Sequence, residues 1–238
     1  MTEETRVETI LGDAYLRAMY DVAYGHIARH LPDKPGPVLE VGAGQGIARE
    51  LGHHWWLSDI SMGDRVDVRA SALCLPCHNN SLAGIVLKDT WHHIADIEMF
   101  LTEAVRVLRP TGSVVVVDPY WGLLARFVYR YLHQEQWDAT TPTWQFPSHD
   151  PWDSNQALSY LMLRRDRTQF MQRWGKHFEI TEHSRTIGPS FLLSGGVSRR
   201  TPINGTLLRR LLRWEESRGP WFDHLRFFHV FSLRKRAV

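Results

Sequence analysis

The chain has 238 residues, 43% of them hydrophobic and 23% charged, with 28 basic against 26 acidic side chains. That is enough for one globular core flanked by helices on two faces, and the mixed charge leaves no basic stripe of the kind a nucleic-acid groove needs. The only cysteines, Cys74 and Cys77, exclude a disulfide framework and lead us to expect a cytoplasmic protein; the acidic N-terminus is unlike a signal peptide, and no apolar run is long enough to span a bilayer.

In chain order, residues 13–31 place Leu16, Met19, Tyr20, Ala23, Ile27 and Leu31 near helical spacing before Pro32, which predicts an amphipathic helix. Residues 33–37 form a Pro- and Gly-rich turn, and residues 38–41 a short buried strand. The strand runs into a glycine loop at 42–46 and a brief helix ending near Gly52. Further strands are expected at 55–60, 66–70, 83–87 and 113–117. A helix over 96–108 separates the last two and is stopped by residues 109–112. Strands and helices alternating at this rate predict a doubly wound, mostly parallel sheet. Residues 121–175 break the pattern with Trp121, Trp137, Trp144 and Trp152 among other aromatics, and read as an inserted helical lid. A strand near 178–180, a helix over 207–214 and a last strand within 225–233 follow. The reading is one domain, 1–238, with a helical N-terminal segment at 1–36 and the lid at 121–175.

A buried strand running into Gly-x-Gly-x-Gly is a cofactor loop, because glycine lets the backbone turn sharply and lie against a ligand. The dinucleotide fingerprint fails, since its last glycine position is Ile47. A triphosphate loop fails for want of a Gly-Lys-Ser/Thr. Glu40-Val41-Gly42-Ala43-Gly44-Gln45-Gly46 instead resembles the first motif of class I S-adenosylmethionine-dependent methyltransferases. Residues 71–77 correspond to that family's Asp-Ala-x-x-Leu-Pro-Phe, residues 91–96 to the turn after the fourth strand, and residues 103–112 to its Glu-x-x-Arg-Val-Leu-Lys-Pro-Gly-Gly. Four motifs in order over residues 38–118 make a specific match. Further on, Tyr129-x-x-x-His133-x-Glu135, residues 151–158 and residues 193–198 resemble a bacterial subgroup found among glycan and secondary-metabolite genes.

The resemblance implies the family's seven-stranded fold and S-adenosylmethionine as cofactor. Its binding residues would be Glu40, Gly42, Ala43, Gly44 and Gly46 at the loop, Asp59 and Ile60 after the second strand, Ser71, Ala72 and Leu73 beside the adenine, and Lys88 and Asp89 after the fourth strand. Asp59 would accept hydrogen bonds from both ribose hydroxyls, which a carboxylate can do at once. Ser71 departs from the family's acid and weakens the expected grip on the adenine; Ala83 and Thr111 are structural departures.

Ligands of open α/β sheets bind at the carboxyl ends of the strands. Methyl transfer to a hydroxyl also needs a proton acceptor, for which histidine or a carboxylate suits neutral pH. The catalytic candidates are His92, Asp118, His133 and Glu135. His92 is balanced between that role and packing, and Asp118 between that role and capping a turn; His93 reads as packing. No ligand spacing suggests a metal, and Cys74 and Cys77 read as packing rather than a redox pair. The aromatic segment reads as core that also lines a pocket, with a peripheral membrane contact as the alternative. The expected function is methyl transfer to a hydroxyl of a small molecule, such as a sugar or glycosylated natural product, without nucleic acid. An N-methyltransferase acting on an amine and an inactive binding or assembly subunit stand as alternatives.

Overall fold

The computed structural model describes residues 3–61, 63–131, 135–196 and 201–237. A seven-stranded sheet in the order β3-β2-β1-β4-β5-β7-β6 forms its centre. The strands are β1 Val38–Val41, β2 Trp56–Asp59, β3 Val68–Arg69, β4 Leu82–Lys88, β5 Leu108–Pro119, β6 Phe178–Thr186 and β7 Phe228–Lys235, with a short helix α3 (Ile47–Glu50) after β1 and another, α8 (Pro189–Ser194), after β6. Strands β1 to β5 are parallel to one another, while β7 runs antiparallel between β5 and β6. Chain order reverses between β1 and β4. That switch point opens a crevice at the carboxyl edge of the sheet.

The strand sequences show why the sheet lies in the middle. Every residue of β4 is buried, as expected for a strand covered on both faces. Alternate residues of β5 feed two cores. Val114 and Val116 pack with Phe100, Leu101 and Ala104 of helix α4 (Ile97–Val107) and with Leu158, Leu161 and Phe170. Val115 and Val117 pack with Met19, Ala23 and Ile27 of helix α2 (Ala14–His30) and with Leu208 and Leu212 of α9 (Gly205–Glu216). Caps set the helix starts: Asp13 accepts from the amides of Tyr15 and Leu16, and Asp96 from that of Met99.

Within the helical N-terminal segment a further helix, α1 (Glu3–Gly12), precedes α2 and buries Val7 and Ile10; the cap at Asp13 falls where the predicted helix begins. Two sequence expectations need revision. The chain passes from α4 straight into β5, so residues 109–112 lie within the strand. There Thr111 takes φ 66 where the family has glycine. Among its described residues the aromatic segment is helical only at its ends: α5 (Leu123–Tyr131), then α6 (Leu158–Tyr160), a π-turn (Leu161–Arg165) and α7 (Arg167–Trp174). Residues 135–157 carry no helix. Pro142, Pro147 and Pro151 interrupt them, and Asp138 and Asp150 accept from the amides of Thr140 and Trp152 in local turns. Trp144 is buried, with its indole N–H donating to Asp166 at 2.9 Å. Leu123, Phe127 and Tyr131 form an exposed face of α5.

Candidate active site

The glycine loop is held in a conformation that side chains rarely adopt. Gly42 has φ 71, and a Cβ there would lie 2.3 Å from Thr90 Cγ2. Gly44 has φ 50, yet a Cβ there would meet nothing within 4 Å. The first glycine is therefore required by its positive φ and the close approach of Thr90, just after β4, and the second leaves backbone open to the crevice. Asp59 sits behind the loop and accepts from the Gly44 amide on one oxygen and the Ser61 amide on the other, both at 2.8 Å. Each oxygen keeps a lone pair, enough for two further hydroxyl donors. Ile60 is exposed beside it. Ser71 accepts from the Leu73 amide at 3.2 Å, while Ala72 and Leu73 lean on the core. The Ala43 amide donates to the Ser58 carbonyl at 2.9 Å.

Beneath the loop lies a buried ionic cluster. The Tyr24 hydroxyl, carried in by α2, donates to Glu40 Oε1 at 2.7 Å, and Glu40 Oε2 is buried without a hydrogen-bond partner among the described residues. Burial pushes the Glu40 carboxyl up to about 7, against the opposing pull of Tyr24 and Lys88. Lys88 is buried, ion-paired with Asp89, and its ammonium lies 4.2 Å from the centre of the Tyr20 ring. Burial disfavours its charge, but Asp89 and Tyr20 outweigh that and hold its pKa above the ordinary value. Asp89 adopts φ 54, a conformation that costs energy and that its neighbours must enforce.

Three of the four catalytic candidates meet at the ends of β4 and β5. His92 lies in a 3₁₀ turn (Trp91–His93) separate from α4. Its Nδ1 is 2.8 Å from Asp118 Oδ1, and its Nε2 is 3.3 Å from Glu135 Oε2. His92 and Asp118 are buried, whereas the Glu135 side chain is one-third exposed, at 33%. Burial works against an imidazolium, but Asp118 and then Glu135 outweigh it and push the His92 pKa up to about 10. An imidazolium between two carboxylates is the state this geometry favours. The fourth candidate, His133, lies outside the described residues.

Four participants escaped the sequence reading. His93, taken as packing, turns its Nδ1 to the Asp153 carbonyl at 3.1 Å. Gln156 is buried, and its amide donates to Glu135. Tyr24 had a signal: with Tyr20 it repeats at i, i+4 on a predicted helix face. His229 lies opposite Asp118 in the β5–β7 pairing. Neither of its ring nitrogens has a partner among the described residues, and burial pushes its pKa down to about 3. Only the pairing of two distant strands brings it there.

Residues 39–116 match the family described as "Methyltransferase domain". No curated protein matches the sequence. Among solved structures, the chain is similar to a SAM-dependent methyltransferase of Thermotoga maritima, described as a possible histamine N-methyltransferase. The two are 20% identical with a TM-score of 0.55, over 98% of this chain and 95% of the other. It is also similar to the YcgJ protein of Bacillus subtilis, at 16% identity and TM-score 0.52, over 92% and 99% of the two chains. With its sheet order, its glycine loop and the matched segment 39–116, the chain has the fold of class I S-adenosylmethionine-dependent methyltransferases.

Proposed function

We propose that this protein transfers the methyl group of S-adenosylmethionine to a hydroxyl of a small molecule, with a sugar or glycosylated natural product as the acceptor class. The observation that carries the reading is His92 held between Asp118 and Glu135 at the carboxyl edge of the sheet, next to the glycine loop. The loop suits the cofactor: Gly44 faces open space, Asp59 keeps two lone pairs, and the buried Glu40 carboxylate suits a cationic group above it. When bound, S-adenosylmethionine supplies an electrophilic methyl whose bond to sulfur breaks as a bond to oxygen forms. An acceptor hydroxyl between His92 and Glu135 donates its proton to Glu135 Oε2 and accepts a hydrogen bond from His92 Nε2. Asp118 positions His92 and balances its charge. Holding the acceptor in line accounts for effective molarities on the order of 10⁵ M, and the proton acceptor adds roughly 10²–10⁴-fold. Segment 121–175 supplies Glu135 and acts as the lid over the acceptor.

S-adenosylhomocysteine should raise the melting temperature saturably in the parent protein and leave Asp59→Ala unmoved. No shift in the parent protein would remove the reading. The second reading, transfer to an amine, draws on the surplus of carboxylates (Asp89, Asp118 and Glu135), which would attract an ammonium. A neutral amine already carries its lone pair and depends less on a base. Turnover insensitive to Glu135→Gln would favour nitrogen over oxygen.

A further inference from the structure

We propose that His92, His93 and Glu135 bind a divalent first-row transition ion, a role the spacing of these residues in the chain does not suggest. One ligand atom from each lies within 4.8 Å of the others, and His92 Nε2 and Glu135 Oε2 are already 3.3 Å apart.

The surroundings of the two rings make this more than a crowd of polar groups. Each ring has its Nδ1 against an oxygen acceptor: His92 against Asp118 Oδ1 at 2.8 Å, and His93 against the Asp153 carbonyl at 3.1 Å. A carbonyl cannot donate, so His93 carries its hydrogen on Nδ1, and a neutral His92 facing the carboxylate does the same. Both rings then offer the Nε2 lone pair. Metal-binding histidines are oriented in this way, by a carboxylate or a backbone carbonyl on the far nitrogen. The third ligand is oriented as well, because the buried Gln156 amide donates to the Glu135 carboxylate. Three elements thus converge with their outer partners in place: the 3₁₀ turn after β4, the end of β5, and the 135–157 stretch.

Two imidazoles and one carboxylate suit zinc, cobalt, iron or manganese better than magnesium or calcium, which prefer all-oxygen ligands. Three protein ligands leave positions open for exogenous oxygens. The ion would take the place of the proton shared between His92 and Glu135. What it would do there rests on the methyl-transfer reading: an acceptor hydroxyl bound to it becomes more acidic, and two adjacent hydroxyls, as on a sugar, could occupy neighbouring positions. That it binds does not depend on that reading.

The test uses full-length protein stripped with a chelator, titrated with Zn²⁺ by calorimetry and with Co²⁺ by visible absorption. One equivalent of either ion is expected, with cobalt bands characteristic of nitrogen and oxygen ligands. His93→Ala and Glu135→Gln should each weaken binding tenfold or more while circular dichroism stays unchanged. Asp118→Asn should weaken it roughly 10- to 100-fold, as loss of an orienting partner does. Binding well below one equivalent, or binding that both ligand substitutions leave untouched, overturns the site, since the chain has 13 histidines able to bind ions adventitiously. S-adenosylhomocysteine binding to the stripped protein is measured in parallel. Its absence alongside intact metal binding sinks the methyl-transfer reading and spares the site; the reverse sinks only the site.

Discussion

Two buried ionic clusters lie along the carboxyl edge of one sheet, and they are built differently. The cluster of Glu40, Lys88 and Asp89 is drawn from the ends of β1 and β4 and is closed by Tyr20 and Tyr24 of α2. All its parts sit in, or next to, regular elements. The cluster of His92, Asp118 and Glu135 takes two members from the ends of β4 and β5 and the third from an irregular stretch. The first is a fixed floor for the loop above it. The second is completed only when residues 121–175 are in place, so a ligand could bring or displace one of its carboxylates without disturbing the sheet. Regular structure is thus concentrated under the glycine loop, and irregular chain where, on the proposed reading, an acceptor would enter.

The largest effect that would sharpen this contrast is on turnover. Glu135→Gln should lower the methylation rate by roughly 10²–10⁴-fold, while its partial exposure limits the loss of stability to about 1 kcal/mol. Steady-state kinetics and urea unfolding check the pair of effects together. Asp118→Ala should act on the fold instead, costing about 3–5 kcal/mol because it leaves His92 buried beside a vacated carboxylate site. An unfolding midpoint close to that of the parent protein would show that the second cluster is as loosely held at its base as at its tip.

The first cluster should show itself as a pH dependence. Glu40 in the folded protein keeps its proton up to about 7, whereas in the unfolded chain it loses it at an ordinary carboxyl value. Between the two, the native state binds more protons, so stability is greatest below the unfolded value and falls as pH rises through about 7, by on the order of 3 kcal/mol. Glu40→Gln should remove that fall, read as the difference between unfolding curves of the two proteins at pH 5 and pH 8. If the curves stay parallel, Glu40 is not the closed, desolvated group its burial implies. The smallest effect belongs to Tyr24→Phe. It loses a hydrogen bond to a buried carboxyl, costing about 1.5 kcal/mol, and moves the pH-dependent fall upward, because the Tyr24 hydroxyl helps hold Glu40 ionised.

The two clusters were unequally legible. The local frame of the first was legible as the strand, glycine turn and helix of residues 38–50, which follow one another within a few residues and each leave a short-range mark. Helix α4 and strand β4 were legible for the same reason. His92, Asp118 and Glu135 were identifiable as candidates by chemistry, but not as neighbours. Helix α1 was not read as an element of its own, and the passage of α4 directly into β5 was missed because it turns on backbone dihedrals that composition does not report, such as the positive φ of Thr111.

Hydrophobic alternation and the placing of glycines were sufficient by themselves for a mostly parallel α/β sheet with a glycine turn after its first strand, since those signals act between residues close in the chain. Only the tertiary structure decided that His92 lies between two carboxylates, that His93 is held by the Asp153 carbonyl, and that Gln156 meets Glu135. These contacts join segments far apart in the chain. Packing against the sheet, rather than any local preference, sets how such segments meet.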